Sequence, residues 1–343
     1  MKYELMQIVF SQPGVAEYLS DGIFDTERLA PGEVVVRTAV STVSPGTERA
    51  NLIGESTVSI YGNESPFPRY LGYSSSGTVV AVGSKVNSVK VGDRVAVYDG
   101  YHVSYNVVDQ SQVVMLPDGV SFETGAMGFI ASFPMSAVRK TEIEPGDPVL
   151  VMGLGILGQL AVRFARLAGG MPVVAVDPVK ERRELALSGG ADYALDPTMQ
   201  GFADEVRRLT GGGARACIEV TGVGAGLNQA LDCMARFGRV ALLGCTRNSD
   251  FSVDFYKKVH GPGIKIIGAH SASRPGTEST QHLWTIRDDI DAVMRLIAGG
   301  RVDLDGLIQE TYLPESAQAV YGRLAYGKDF PVCVQFDWRG LEL

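Results

Sequence analysis

The chain has no cysteine before Cys217 and only four in all, with Cys233, Cys245 and Cys333 completing the set. None pair as CxxC and their spacing is irregular, which leaves no thiolate motif for a structural zinc or a redox couple. Reduced thiols in a cytoplasmic protein are the expectation. No run of about 18 apolar residues occurs, so no membrane span is expected. Met1 to Phe10 lacks a basic segment followed by a long apolar stretch, so no signal peptide is expected either. Positive charge is in deficit, 31 Lys and Arg against 39 Asp and Glu for a net charge of −8, which argues against nucleic acid or an anionic membrane as the main partner. There is no block of five or six like charges, no internal repeat and no low-complexity tract.

What is there is ordinary globular material. Hydrophobic residues make up 45% of 343 residues and charged residues 20%, enough for about two domains with a sizeable core. The first ~125 residues read as short β-strands between Gly and Pro turns: Glu33 to Val40, Gly77 to Gly83, Gly92 to Val97 and Gln112 to Leu116. Such spacing predicts a compact, partly closed β-fold. Near residue 145 the pattern changes. Short apolar runs at Pro148–Met152, Val173–Val176, Ala191–Leu195, Ala216–Val220, Val240–Leu243 and Ile264–Ile267 alternate with helical stretches, among them Leu157–Ala168, Lys180–Ser188, Phe202–Leu209 and Leu227–Arg236. In the first of these helices the apolar positions set one face and Gln159, Arg163 and Arg166 the other. This is the βαβ rhythm of a doubly wound parallel sheet, a Rossmann domain. A helix from Trp284 to Ala298, a strand near Gln309–Tyr312, a helix from Glu315 to Leu324 and a strand at Val332–Phe336 follow, with no register left to fill in that sheet. The tail is therefore expected to fold back onto the first domain. The boundaries predicted are 1–127 plus 271–343 for the β-rich domain and 128–270 for the Rossmann domain.

Between the first buried strand and its helix runs Gly153-Leu154-Gly155-Ile156-Leu157-Gly158. Alone a GxGxxG is a weak signal. After a buried strand and before an amphipathic helix it is the cradle of a dinucleotide pyrophosphate, with glycines for the tight turn, the close backbone approach and the helix–strand contact. The helix start adds unpaired N–H groups and a positive dipole end. Asp177 closes the second strand, where a carboxylate accepts bonds from the adenosine ribose and repels a 2′-phosphate. NAD(H) is therefore favoured over NADP(H), with Lys180, Arg182 and Arg183 just beyond as the complication.

By these motifs, together with Pro68–Gly72, Val91–Val95, Gly190-Ala191-Asp192 and Leu242-Leu243-Gly244, nearly the whole chain resembles the medium-chain dehydrogenase/reductase family. The resemblance implies a GroES-like catalytic domain with a Rossmann domain inserted, a cleft between them, and a homodimer or tetramer in which the Ile264–Ile267 strand meets its twofold mate. It also implies further cofactor positions: Ser132, Thr221, Gly222, Gly244, Cys245, Gly268, Ala269 and His270. For His270 and for His260 a loop or interface role is the competing reading. Where the resemblance puts the ligands of zinc-bearing members, this chain has Ser44, Tyr73 and a third position at or near Gly128. Hydroxyls at neutral pH are poor zinc donors, so neither catalytic nor structural zinc is expected.

A metal-free site needs a protein group to move the hydroxyl proton. Tyr73, Glu48 and His102 are the candidate polar centre, with Ser44 and Thr47 as a possible hydroxyl relay. For each the plain alternative is structural: Tyr73 filling volume, His102 a buried hydrogen-bonding group, Glu48 a loop ion pair. The loop 53–67, with Tyr61, is a candidate lid. The leading expectation is a dehydrogenase or reductase acting on a secondary alcohol or ketone. Two rivals stay open at this point, a reductase of activated C=C bonds and a nucleotide-binding redox sensor without turnover.

Overall fold

A computed structural model describes residues 1–60 and 66–340. The chain divides into two compact units, Met1–Ile130 with Ile290–Leu343, and Ala131–Asp289. Of the loop expected at 53–67, residues 61–65, Tyr61 among them, lie outside the described residues.

The first unit opens with a long hairpin, β1 (Lys2–Gln12) and β2 (Val15–Asp25). It continues with β3 (Glu33–Thr42), helix α1 (Pro45–Leu52), β4 (Arg69–Tyr70), β5 (Ser74–Val82), β6 (Arg94–Tyr98), β7 (Tyr105–Asp109), β8 (Val113–Met115) and the short helix α2 (Phe122–Gly125). Helix α3 (Gly128–Lys140) leads out of it. Val34, Val36, Val79, Val95, Val97 and Val113 alternate inward from four strands to make one core cluster, as β-branched residues do on a half-buried pleat. The hairpin has no counterpart in the sequence reading. Its second strand is mostly exposed, so it lacks the apolar alternation that marks a half-buried strand.

The second unit carries β9 (Val149–Met152), α4 (Ile156–Leu167), β10 (Val173–Val176), α5 (Lys180–Ser188), β11 (Tyr193–Leu195), α6 (Phe202–Leu209), β12 (Ala214–Glu219), α7 (Gly224–Asp232), β13 (Met234–Leu242) and β14 (Lys265–Gly268). Its six strands lie in the order β11-β10-β9-β12-β13-β14, all parallel. The order reverses between β9 and β12, which is the Rossmann arrangement. Two expectations need correction here. Helix α7 stops at Asp232, and Met234 already pairs with Ala214 in the sheet; the ladder with β12 claims residues the helical period had extended over. Gln159 is fully buried on α4 rather than on its outer face, because its amide binds backbone carbonyls.

The tail returns to the first unit. Helix α8 (Ile286–Ala298) is followed by β15 (Glu310–Tyr312), α9 (Ala317–Tyr326) and β16 (Val334–Asp337). β16 lies between β15 and β3, completing a seven-stranded sheet. The divisions of the chain fall inside α3 and α8 rather than at 127 and 270. Residues after 270 stay with the second unit because Lys140 Nζ holds the Gly268 and Ser273 carbonyls at 3.0 and 2.6 Å, and Arg274 Nη2 holds the Ser132 carbonyl at 2.7 Å. No described helix is long and apolar enough to cross a membrane.

Trp338, 1% exposed, plugs the first unit's second core cluster beside Ile8, Phe10, Leu52, Tyr321 and Phe336. Replacing it (Trp338→Ala) is expected to destabilise the protein by about 3–5 kcal/mol, read as a lowered urea midpoint; an unchanged midpoint contradicts this packing.

Candidate functional site

In the first unit Ser44 precedes α1, and Pro45 occupies its first turn, where a missing N–H costs nothing. Glu48 Oε1 reaches back to accept the Ser44 N–H at 2.9 Å. Its other oxygen, Oε2, accepts the Tyr321 hydroxyl at 2.6 Å and faces His102 Nε2 at 3.3 Å. His102 Nδ1 lies 2.7 Å from Ser41 Oγ, which also takes the Trp338 indole N–H at 2.9 Å. An indole N–H can only donate. Ser41 therefore keeps its own hydrogen for Nδ1, and the His102 Nε2–H points at Glu48; this proton placement is assigned from the bonding pattern. Glu48, His102, Ser41, Tyr321 and Trp338 are all buried. Its own burial pushes the Tyr321 phenol well above its ordinary value, and the charge and hydrogen bond of Glu48 add to the shift.

Tyr73 is half-buried, and its hydroxyl makes a short hydrogen bond to Ser44 Oγ. Its ring meets Phe129 edge-on at 5.4 Å, and Phe129 packs in turn on Tyr98 at 5.4 Å. Four of the five candidates thus resolve into two layers. Ser44 and Tyr73 form a hydroxyl pair, and Glu48 with His102 forms a buried brace that fixes the Ser44 backbone. Thr47 lends its carbonyl to Asn51 Nδ2 at 2.9 Å, and the partner of Ser44's hydroxyl is Tyr73. Gly128, the third position considered, brings no side-chain donor and faces the flexible end of Met294, 2.6 Å from where a Cβ would stand. Among the described residues no group of three or more His, Cys, Asp or Glu is placed to hold a metal ion.

In the second unit Gly153 adopts a left-handed φ of +91°, and a Cβ there would approach Thr221 Cγ2 at 3.1 Å. At Gly158 a Cβ would lie 1.8 Å from the Gly153 carbonyl oxygen, so only glycine lets α4 start this close to the turn. Gly155 caps α4 without a side-chain bond, and a Cβ there would meet nothing within 4 Å. The turn therefore leaves open space at Gly155, beside an α4 start that no side chain caps, an arrangement that suits a phosphate. Gly222, Gly244 and Cys245 close on one another behind Thr221: a Cβ on Gly222 would lie 2.7 Å from the Cys245 carbonyl oxygen, and one on Gly244 2.5 Å from the Gly222 nitrogen. Glu219, beneath them, is raised by burial while it accepts from Thr221 and Gly222.

Asp177, 5% exposed, accepts the Leu154 and Val179 N–H groups, each at 2.8 Å. Lys180 is far more open and pairs with Glu184 at 3.5 Å. Ser132 receives Arg274 Nη1 on its hydroxyl at 3.1 Å. Ala269 is buried, and its N–H joins the Leu242 carbonyl at 3.1 Å. His270 Nδ1 accepts the Ala272 N–H at 3.1 Å, and its imidazole is held below the ordinary value by burial, then by Arg247 and Arg274. Gly268 and Ser132 are thus held by Lys140 and Arg274, which the sequence reading missed. Neither belongs to a motif, and their partners lie more than a hundred positions away. Tyr321 escaped for the same reason, 273 positions from Glu48.

With this geometry in hand, comparison with known proteins is decisive for the family. Residues 30–139 match the alcohol dehydrogenase GroES-like domain and residues 157–286 the zinc-binding dehydrogenase domain. The chain is 30% identical to D-guloside 3-dehydrogenase of Escherichia coli over 241 residues, 69% of this chain and 68% of that protein. The chain belongs to the medium-chain dehydrogenase/reductase family. It is also 26% identical to L-threonine 3-dehydrogenase of Pyrococcus horikoshii over 342 residues, 91% of this chain and 92% of that one. The crystal structure of 2R,3R-butanediol dehydrogenase from Bacillus subtilis shares the fold, with a TM-score of 0.80 at 21% identity over 97% of this chain and 99% of that one. The protein is an oxidoreductase of the alcohol dehydrogenase type with a GroES-like and a Rossmann domain. The zinc-binding match at 157–286 contains none of positions 44, 73 and 128.

The Glu48 brace makes a stability prediction. Glu48→Ala strips a buried acceptor from His102, Tyr321 and the Ser44 N–H and is expected to cost about 3–5 kcal/mol. Tyr321→Phe, which removes one donor, is expected to cost about 1–3 kcal/mol. Unfolding midpoints of the two variants and their double mutant check this; strict additivity would deny the contact.

Proposed function

We propose that this family member is a zinc-independent oxidoreductase that moves a hydride between NAD(H) and a secondary alcohol or ketone of a polyol, sugar-like or complex metabolite. The observation that carries the reading is the Ser44–Tyr73 hydroxyl pair, placed where the family's metal ligands are expected. The residues present do not fit a catalytic zinc. Two mutually bonded hydroxyls and a glycine, which has no side-chain donor, supply no firm donor set.

The fit to a dinucleotide is of the opposite kind. The open space at Gly155, the uncapped start of α4 and the glycine contact at Gly158 suit a pyrophosphate. Gly153, Gly155, Ile156, Leu157 and Gly158 would hold it, with Thr221, Gly222, Gly244, Cys245, Gly268, Ala269, His270 and Ser132 toward the rest of the cofactor. NAD(H) is preferred because the Asp177 carboxylate opposes a 2′-phosphate. The nearby cations are engaged within the chain: Lys180 with Glu184, Arg183 with the Asp177 and Pro178 carbonyls. When bound, NAD(H) supplies or takes the hydride. Tyr73 handles the proton: its hydroxyl, which donates to Ser44 Oγ in the resting chain, would turn its hydrogen to a ketone oxygen, and Ser44 would then donate to the phenolate left behind. Ser44 holds that hydroxyl in place, and Glu48 holds Ser44. The substrate class follows relatives named for D-guloside, L-threonine and 2R,3R-butanediol. A cytoplasmic homodimer completes the reading, since β14 ends its sheet with one neighbour and leaves an edge for a twofold mate.

A panel of ketones and enones with NADH tests the reaction. Ketones are expected to be reduced, and Tyr73→Phe is expected to lower kcat by roughly 10²–10⁴-fold with the protein folded. Consumption of NADH by enones alone, or full turnover in Tyr73→Phe, would overturn the assignment. Gly155→Val has room to fold but fills that open space. Its NADH dissociation constant is expected to rise by roughly tenfold or more, about 1.4 kcal/mol, at an unchanged melting temperature; wild-type affinity would place the pyrophosphate elsewhere.

A further inference from the structure

The peptide of Leu154, the first residue between the glycines, is held from both sides. Its N–H donates to Asp177 Oδ2 at 2.8 Å, and its carbonyl accepts Gln159 Nε2 at 3.3 Å. Each holder is anchored elsewhere. Asp177 Oδ1 accepts the Val179 N–H at 2.8 Å, which fixes the turn between β10 and α5. Gln159 Nε2 also donates to the Arg182 carbonyl at 2.7 Å, which ties α4 to α5. Asp177 and Gln159 are both buried. Leu154 itself is fully buried, so this segment of the turn is pinned through backbone and side chain alike.

A carboxylate at the end of the second strand is ordinarily read as a sensor of the ribose. Here both of its oxygens are already bonded to turn amides, and Arg182 Nη1 stands 3.9 Å from one of them. The two bonds do mechanical work. Fixing the Leu154 peptide fixes the direction in which Gly155 hands the chain into α4, and so the aim of the Ile156 and Leu157 N–H groups. We propose that Asp177 and Gln159 are positioning residues that clamp the Leu154 peptide and thereby set the affinity for the pyrophosphate shared by NADH and NADPH. The proposal rests on the dinucleotide reading above. It has a consequence that a ribose sensor lacks. Removing the Asp177 charge relieves the repulsion of a 2′-phosphate but loosens the cradle that must hold either cofactor, so NADPH gains nothing. Gln159 carries no charge, so its loss weakens both cofactors alike.

The experiment is fluorescence titration of NADH and of NADPH into the full-length wild type, Asp177→Ala and Gln159→Leu, with circular dichroism melts as a folding check. Asp177→Ala is expected to bind NADH roughly tenfold or more weakly, and NADPH no more tightly than wild type does. Gln159→Leu is expected to weaken both, leaving their ratio within about threefold of wild type. Tighter NADPH binding by Asp177→Ala, or wild-type affinities in Gln159→Leu, overturns the clamp. A variant that fails to fold is replaced by hydrogen exchange on the wild type: the Leu154 and Val179 amides are expected to be protected without any cofactor, and exchange at the rate of open loop amides overturns the clamp. A wild type that binds neither nucleotide while its Leu154 amide is protected would instead remove the cofactor reading and spare the geometry.

Discussion

The approach of Gly158 to the Gly153 carbonyl governs the second unit. Where any other residue would drive a side chain into that oxygen, glycine lets α4 begin directly on the end of β9. The first N–H groups of a helix have no intrahelical partner, and at Gly155 no side chain satisfies them. Open space at Gly155 lies beside them where the strand order reverses, with the dipole's positive end behind them. The turn is not held by glycines alone. Gly153 leans on Thr221 at the end of β12, and Asp177 at the end of β10 binds the next peptide. The cradle is therefore a property of three neighbouring strands.

The first unit solves a different problem, how to hold the hydroxyls of Ser44, just before α1, and Tyr73, just before β5, against each other. A buried carboxylate is costly unless several donors meet it. Glu48 has three, and each comes from a different element: the Ser44 backbone, His102 after β6, and Tyr321 on α9. The network continues through Ser41 to Trp338. Residues of the tail thus brace the start of α1. This explains why a chain whose Rossmann strands are complete by Gly268 carries a further tail, which supplies β15, β16 and two members of the brace.

How much of this could be read in the sequence follows from the range of each interaction. Strands such as Val173–Val176 and helices such as Lys180–Ser188 are written in local periodicity, and both fall where the pattern puts them. The glycine motif is legible because its chemistry needs fixed offsets. The hairpin of β1 and β2 was not, since its outer strand is mostly exposed and carries no apolar alternation. The overlong α7 arose because the ladder with β12 outweighs local helical preference at Met234. Tyr321, Lys140, Arg274 and Gln159 belong to no motif. Their roles come from side chains meeting backbone or carboxylate groups across the fold, and helical spacing had placed Gln159 on the outside. Ser44 and Tyr73 were legible only through what they replace.

On the proposed function, a pyridine nucleotide binds to the turn at Gly153 in a protein that needs no metal to hold or use it. The most direct measurement is calorimetric titration of NADH into wild-type protein after exhaustive chelation, with the metal content of the same sample determined. Saturable binding of one NADH per chain to protein free of zinc is the predicted result. A protein that retains one zinc per chain, or that takes up NADH only after zinc is restored, contradicts it.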